Sequence, residues 1–154
     1  MLHEIPPTDR AETRAQRARL DDVITRCRDS SNSYRAASRV LSMHRDELMS
    51  IARKRSSLAR KLSEFSATPE DRNTRGSVGG RLARTLFDLR VVLLGQTHLG
   101  DSLAECLRCD DDATKSYRRA LEIPWNGDIA DVLESQRAEI ELSAAGVKTM
   151  RGHL

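Results

Sequence analysis

Residues 20–41 read LDDVITRCRDSSNSYRAASRVL, and this stretch decides the class of the fold. Its inward positions alternate at intervals of four and three, which keeps them on one face of a helix. These positions are Leu20, Ile24, Cys27, Ser31, Tyr34, Ser38 and Leu41. Residues 29–33, DSSNS, have the composition of a loop, but the spacing passes through them unbroken. The stretch therefore predicts one long helix with a polar patch, starting near Thr8 or Asp9.

The same spacing predicts four further helices. The inward positions of the second helix are Leu48, Ile51, Arg55, Leu58, Leu62 and Phe65. Those of the fourth helix are Leu99, Leu103, Cys106, Asp110, Ala113, Tyr117 and Leu121. Those of the fifth helix are Ile129, Leu133, Gln136, Ile140, Ser143, Val147 and Met150. Pro69 and Pro124 end the second and fourth helices. The third helix is predicted over 77–94, and Asp128 is the predicted N-cap of the fifth.

The lengths of these helices predict their arrangement. Two helical hairpins, 16–66 and 99–151, are joined by the third helix, whose 18 residues can travel about 27 Å. A connection of that length can cross from one end of a bundle to the other, as in ferritin-like four-helix bundles. We therefore predict an all-α fold with a single domain over 15–152. Residues 1–14, with two adjacent prolines and no apolar periodicity, are predicted to form a mobile tail.

Composition narrows the class of protein. The 154 residues are 38% hydrophobic, 32% charged and only 3% aromatic, with a net charge of +3. No apolar run approaches the roughly 18 residues that a membrane span needs, and no export signal precedes the first helix. Three cysteines, an odd number, favour free thiols in a reducing compartment. We therefore expect a cytoplasmic helical protein without contact with a membrane.

Several segments together carry a resemblance to a known family. They are residues 20–29, 34–37, 76–80, 104–113 and 117–121. In their order and pattern they resemble an uncharacterised bacterial family of ferritin-like helical bundles, classed as a domain of unknown function. The resemblance extends over about 18–150 and implies the fold, but it implies no activity.

The ferritin-like fold raises the question of a di-iron site. Such a site takes a Glu from each of two helices and a Glu-x-x-His pair from each of the other two. None of the four histidines, His3, His44, His98 and His153, follows a Glu by three residues. The four carboxylates Glu105, Asp110, Glu134 and Glu139 do not share one helical face. We therefore predict no metal site, no cofactor and no catalytic residue.

The resemblance bears on three more positions. Ser31 and Asn32 stand where the family pattern implies an acidic dipeptide, and Leu107 stands where it implies another acidic residue. These departures from the pattern also point to a bundle that lacks the ligand set.

Two motifs on the fourth helix have both a chemical and a structural interpretation. Cys106 and Cys109 form a C-x-x-C motif, which we interpret as two buried thiols because no sheet or second cysteine pair accompanies it. Of the three consecutive acids at 110–112, only Asp110 lies on the inward face. There it is expected to meet Arg55 or Gln136 in a structural polar layer.

A basic stretch and a glycine-rich stretch each have a structural interpretation. Residues 53–55 and 60–61 are basic but lack interleaved aromatics, so we interpret them as a solvated face and expect no nucleic acid partner. Residues 76–80, GSVGG, lack the strand and the Gly-Lys-Ser/Thr of a phosphate loop.

Three hypotheses about function follow. The first is a non-enzymatic bundle that acts through protein–protein contact, as a homodimer or with another protein. The second is a metal-dependent redox or storage protein with a non-standard site around Glu105, Cys106 and Cys109. The third, and weakest, is association of the basic first hairpin with nucleic acid, which would depend steeply on salt.

Overall fold

The computed structural model describes residues 13–66 and 99–154. Four helices make up nearly all of this part: α1 Arg14–Val40, α2 Arg45–Ser66, α3 Leu99–Leu121 and α4 Ile129–Gly152. A short 3-10 turn, Ser42–His44, joins α1 to α2. The described residues contain no strand, so the predicted all-α class is confirmed. The helix predicted over 77–94 lies outside the described residues.

The first helix begins with a complete capping box. The Thr13 hydroxyl accepts a hydrogen bond from the Gln16 backbone N–H, and the Gln16 side chain accepts one from the Thr13 backbone N–H. This pair satisfies two N–H groups that a helix start leaves free. The helix therefore begins at Arg14, and not at the predicted Thr8 or Asp9. It then continues through 29–33, as predicted.

Contacts between side chains fix the direction of each helix. The Ser66 hydroxyl donates to Asp21, so α2 runs antiparallel to α1. The Ser116 hydroxyl donates to Asp22, so α3 is also antiparallel to α1. Helix α4 returns antiparallel to α3, because Tyr117 contacts Gln136 while the earlier Asp110 and the later Ser143 share Arg55. Because α2 and α3 point the same way, α2 ends at the opposite end of the bundle from the start of α3.

The interior consists of two apolar clusters separated along the bundle axis. The first contains Leu20, Val23, Ile24, Cys27, Leu58, Ala59, Leu62, Ala113, Tyr117, Ala120, Ile129, Leu133 and Ile140. The second contains Tyr34, Ala37, Leu41, Leu48, Ile51, Ala52, Leu103, Cys106, Val147 and Met150. Between them lie buried polar residues of α1, α2 and α3, so a polar layer divides the core near mid-height.

One expectation about a helix end is wrong, and another is confirmed only in position. Leu99, predicted to face inward, is 46% exposed, because it is the first residue of α3 and lies beyond the packed interior. Asp128 occupies the N-cap position of α4, but its side chain makes no capping hydrogen bond. Gly127 precedes it with a φ of 63°, a left-handed conformation that glycine adopts without strain.

Within the described ranges, no helix has the length and apolarity needed to cross a bilayer.

Candidate functional site

A buried ion pair lies at the middle of the bundle. Arg55 is near the midpoint of α2 and Asp110 near the midpoint of α3. Arg55 Nε donates to Asp110 Oδ1, and Arg55 Nη2 donates to Asp110 Oδ2, each at 3.0 Å. The two side chains are 0% and 2% exposed. This two-point geometry is the strongest that a guanidinium and a carboxylate form.

Helix α1 completes the surroundings of the carboxylate. The Ser30 hydroxyl donates to Asp110 Oδ1 at 2.6 Å, and the Tyr34 hydroxyl donates to Asp110 Oδ2 at 2.7 Å. Each oxygen therefore accepts two hydrogen bonds, one from the guanidinium and one from α1. Four donors compensate for most of the hydration that this carboxylate loses on burial.

Helix α4 contributes a partner for the guanidinium. Arg55 Nη2 also donates to the Ser143 hydroxyl, which itself donates to the carbonyl of Ile140. The guanidinium carbon lies 5.8 Å from the centre of the Tyr34 ring. Arg55 Nη1 is buried and has no hydrogen-bond partner in the described part of the chain. All four described helices thus contribute a side chain to one polar layer, which we call the central layer: Ser30, Tyr34, Arg55, Asp110 and Ser143.

The charges in the central layer stabilise one another. Burial by itself lowers the pKa of Arg55, but the hydrogen bonds and negative charge of Asp110 outweigh it and raise the pKa. Burial, followed by the charge of Asp110, raises the pKa of Tyr34, so this phenol stays a neutral donor. Arg55 and Tyr34 therefore both keep their protons near neutral pH.

A neutral hydrogen-bonded group lies one to two turns from the central layer. The Tyr117 hydroxyl is 2.7 Å from Gln136 Oε1, to which it donates, and 3.2 Å from Cys27 Sγ. Gln136 Nε2 in turn lies 3.5 Å from the carbonyl oxygen of Leu58 on α2. Gln136, the second predicted partner of Asp110, is therefore used elsewhere, and Arg55 is the partner that the structure selects.

The C-x-x-C thiols are buried, as the interpretation of this motif anticipated. Burial raises the pKa of both Cys106 and Cys109 to about 12, so both are protonated at neutral pH. Cys109 Sγ lies 3.7 Å from Glu105 Oε1, but that carboxylate also receives two hydrogen bonds from Arg108. Thiols in such surroundings behave as small apolar groups and not as nucleophiles.

The remaining acidic and histidine candidates do not converge. Glu134 and Glu139 are exposed on α4, whereas Asp110 is buried. His44 contacts Glu47 at 3.9 Å, and His153 is exposed near the end of α4. His3 and His98 lie outside the described residues. Over residues 13–66 and 99–154, no group of three or more potential ligands is placed to hold a metal ion.

The acidic and basic runs divide between the interior and the surface. Asp111 pairs with Lys115, and Asp112 pairs with Arg108, both on the surface of α3. Of residues 53–55, Arg53 and Lys54 are exposed but Arg55 is buried. The interpretation of 53–55 as a solvated face is therefore wrong for Arg55. Its inward position in the stripe of α2 was the informative signal.

Sequence reasoning missed two residues of the central layer. The spacing places Ser31 on the inward face and leaves Ser30 off it, yet both are buried, and the Ser31 hydroxyl donates to the carbonyl of Ala52. Tyr34 was predicted to be inward but was given no partner. A tyrosine on an inward stripe at the same height as a buried acid is the signal that would have identified it.

The fold and the central layer define the class of protein, which is a helical bundle with an ion pair buried in its interior. The chain belongs to the family described as Domain of unknown function (DUF2383), which it matches over residues 16–123. This match includes nearly all of α1 and the whole of α2 and α3, and therefore both partners of the ion pair. No curated protein and no solved structure matches the chain.

Proposed function

We propose that this protein is a non-enzymatic helical bundle with a ferritin-like arrangement that lacks the di-iron ligand set and acts through protein–protein contacts. The helix directions support the arrangement. Helices α1 and α4 point one way and α2 and α3 the other, with the long connection between α2 and α3. Bundles with one such crossover are ferritin-like in topology.

The observation that carries the proposal is the occupancy of the Asp110 carboxylate. In a metal-binding bundle, the carboxylates that project into the core present free oxygen lone pairs to the ion. Here both oxygens are engaged by Arg55, Ser30 and Tyr34 within an interior closed to solvent. A metal ion at this position would have to displace a guanidinium that already supplies the positive charge.

A metal-dependent redox or storage role is the competing candidate. It rests on the proximity of Cys109 to Glu105 and on the neighbouring Cys106. The protonated state of both thiols and the engagement of Glu105 by Arg108 weigh against it. A metal would have to remove two thiol protons and break that ion pair before it could bind.

Metal content tests the choice between the two. Protein purified without a tag would be incubated anaerobically with ferrous iron, desalted and analysed for iron per chain. We expect no retained iron and an unchanged helical signal. Near-stoichiometric iron would overturn the proposal. Loss of that iron in Glu105→Ala or Cys106→Ala would place the metal site at Glu105, Cys106 and Cys109. Loss in Asp110→Asn would place it in the central layer.

The proposed surface role has its own test. The pairing of Arg55 with Asp110 supports a role at the surface of the bundle, and we propose that the protein works as a homo-oligomer or on a protein partner in the cytoplasm. The solution mass, measured by sedimentation equilibrium, should exceed that of one chain. A strictly monomeric protein that also captures no partner would contradict this role.

A further inference from the structure

One side of the first helical hairpin carries arginines with no acid between them. Helix α1 has no acidic residue over 30–40, and α2 has none over 48–63. Each stretch contributes two exposed arginines, and none of the four has an ion-pair partner among the described residues. We call this surface the arginine face: Arg35, Arg39, Arg53 and Arg60.

The contact of Ser56 with α1 shows that the four arginines lie on one side of the hairpin. The Ser56 hydroxyl accepts a hydrogen bond from Arg35 Nη2 at 3.3 Å, so Ser56 lies at the border between α2 and α1. Arg53 and Arg60 are three residues before and four residues after Ser56, which places both on the same side of α2. Arg39 follows Arg35 by four residues and shares its side of α1. The arginine face therefore consists of two rows, one on each helix.

The acids of this hairpin lie beyond the ends of the arginine face or against α3. Those at the two ends of the hairpin are Asp21 and Glu64, with Glu64 one turn past Arg60, and Asp46 and Glu47. Asp22 and Asp29 lie on the side of α1 that borders α3, where Arg119 and Arg108 are their charged neighbours. No acid of the described hairpin therefore interrupts the two rows.

The positive charge of the chain is concentrated on this hairpin. Residues 13–66 contain 13 Lys and Arg against 6 Asp and Glu, a net charge of +7. Residues 99–154 contain 7 against 11, a net charge of −4. A positive potential confined to one side of a molecule attracts and orients a polyanion.

The structure changes the interpretation of the basic residues 53–55 and 60–61. Taken alone, they predict a solvated face of one helix with no nucleic acid partner. The antiparallel packing of α1 on α2 places Arg35 and Arg39 in a second row beside them, although both lie more than ten residues earlier in the chain. The combined surface is broader and more basic than either helix by itself.

We propose that the arginine face binds the phosphate backbone of double-stranded nucleic acid, independently of sequence. A guanidinium binds a phosphate through two parallel hydrogen bonds, which fixes the geometry of the contact. The face extends about 20 Å along the hairpin, and a duplex of that length carries roughly twelve phosphates. Asn32 and Ser56, each three residues from an arginine of the face, add amide and hydroxyl groups of the kind that also contact phosphate.

The side chains of the face favour a nucleic acid over a protein or a membrane. The exposed large hydrophobic side chains of the described residues all lie elsewhere: Met43, Leu99, Leu142 and Leu154. The centre of a protein interface and the buried side of a membrane-bound helix both need apolar or aromatic groups. No aromatic side chain in the described ranges is exposed, so a single strand would find no surface on which its bases could stack.

A titration of a labelled DNA duplex, followed by fluorescence anisotropy, tests the inference. We expect a Kd of about 10⁻⁶–10⁻⁴ M at physiological salt. Between about 50 and 200 mM salt, log K should fall against log salt with a slope of about −3 to −4, because four arginines each displace about 0.9 counterion. An unlabelled duplex of unrelated sequence should compete equally. Duplex RNA of the same length shows which of the two nucleic acids binds more tightly.

A matched pair of double variants locates the contact. Arg53→Gln with Arg60→Gln should weaken binding at least about tenfold at low salt and make the slope shallower by about 2, one for each lost cation. The control is Lys148→Gln with Arg151→Gln, which removes the same charge from exposed positions of α4. It should leave the slope unchanged. Circular dichroism checks that all variants stay helical, and Arg39→Gln alone should make the slope shallower by about 1 if the first double variant unfolds.

Four results would overturn the inference: no binding of the duplex at low salt, equal losses in the two double variants, tighter binding of a single strand of the same length, or binding of phosphatidylserine vesicles without binding of the duplex. The inference goes beyond the proposed protein contact and does not depend on it. Duplex binding that fails in a protein that still self-associates would therefore leave that proposed role standing.

Discussion

The guanidinium of Arg55 and the carboxylate of Asp110 face each other across the middle of the bundle, with two hydrogen bonds of 3.0 Å and almost no exposure to solvent. They lie between two apolar clusters, so neither charge can reach water when the other is removed. The pair therefore constrains how α2 and α3 are positioned relative to each other. Any change to one partner alone leaves an uncompensated charge in the interior.

Removal of one partner should be far more destabilising than replacement of both. Asp110→Ala is expected to lower the free energy of unfolding by about 3–5 kcal/mol, because Arg55 stays buried without a counter-ion. The double variant Arg55→Met with Asp110→Leu should recover most of that loss. Urea unfolding followed by circular dichroism measures both. A loss below about 1 kcal/mol in Asp110→Ala would contradict the role given to the pair.

The hydroxyl of Tyr34 should contribute more to stability than that of Tyr117. Tyr34 donates to a charged carboxylate, so Tyr34→Phe is expected to cost about 1.5–3 kcal/mol. Tyr117 donates to a neutral amide, and Tyr117→Phe should cost about 0.5–1.5 kcal/mol. Both substitutions keep the ring and its packing. Equal losses in the two variants would contradict this order of the two hydroxyls.

The three thiols should react slowly in the folded protein. Burial raises the pKa of Cys27 to about 11 and that of Cys106 and Cys109 to about 12, from an ordinary value of 9.0. At pH 8 an aromatic disulfide reagent should therefore titrate fewer than one thiol per chain quickly, and three after unfolding in urea. Rapid reaction of Cys109 in the native protein would show that its surroundings are open.

The same pKa shifts predict a loss of stability in alkali. The folded state holds these protons more tightly than the unfolded state, so the contribution is complete below about pH 9 and declines as the pH rises toward 11–12. The free energy of unfolding should fall between pH 9 and 11. The variant Cys106→Ala with Cys109→Ala should show a shallower fall, while the raised pKa of Tyr34 and Tyr117 keeps a residual slope.

The capping box of α1 should contribute more to the free energy of unfolding than Asp128, the N-cap residue of α4. Thr13→Ala removes a hydrogen bond to the backbone of Gln16 and is expected to cost about 1 kcal/mol. Asp128→Ala removes no capping hydrogen bond, so its cost should be smaller. Thermal unfolding of the two variants under the same conditions makes the comparison. A larger loss for Asp128→Ala would reverse this assignment.

Much of the interior of the helices was predictable, because each stripe depends only on the spacing within one helix. The stripe of α1 is buried at every predicted position from Leu20 to Leu41, and in α4 only Ser143 is less than buried. The differences fall at helix ends: the start of α1, the exposed Leu99 and the missing capping hydrogen bond of Asp128. Ends depend on a few local hydrogen bonds and on where neighbouring helices stop, and periodicity carries neither kind of information.

The candidate site was predictable only in part. The inward position of Asp110 and a polar layer around it followed from spacing, and Arg55 was one of two expected partners. The spacing did not predict that the hydroxyls of Ser30 and Tyr34 donate hydrogen bonds to Asp110. Their contact requires a specific rotation of α1 about its own axis, which is set by the packing of both apolar clusters.

The sequence by itself determined that the chain is helical and which side of each described helix turns inward, because the 3.6-residue repeat is a property of each helix alone. Only the tertiary structure decided that Asp110 pairs with Arg55, while Gln136 pairs with Tyr117. All four residues face inward, and their partners depend on the axial shift between helices. That shift follows from how the apolar side chains of neighbouring helices fit together.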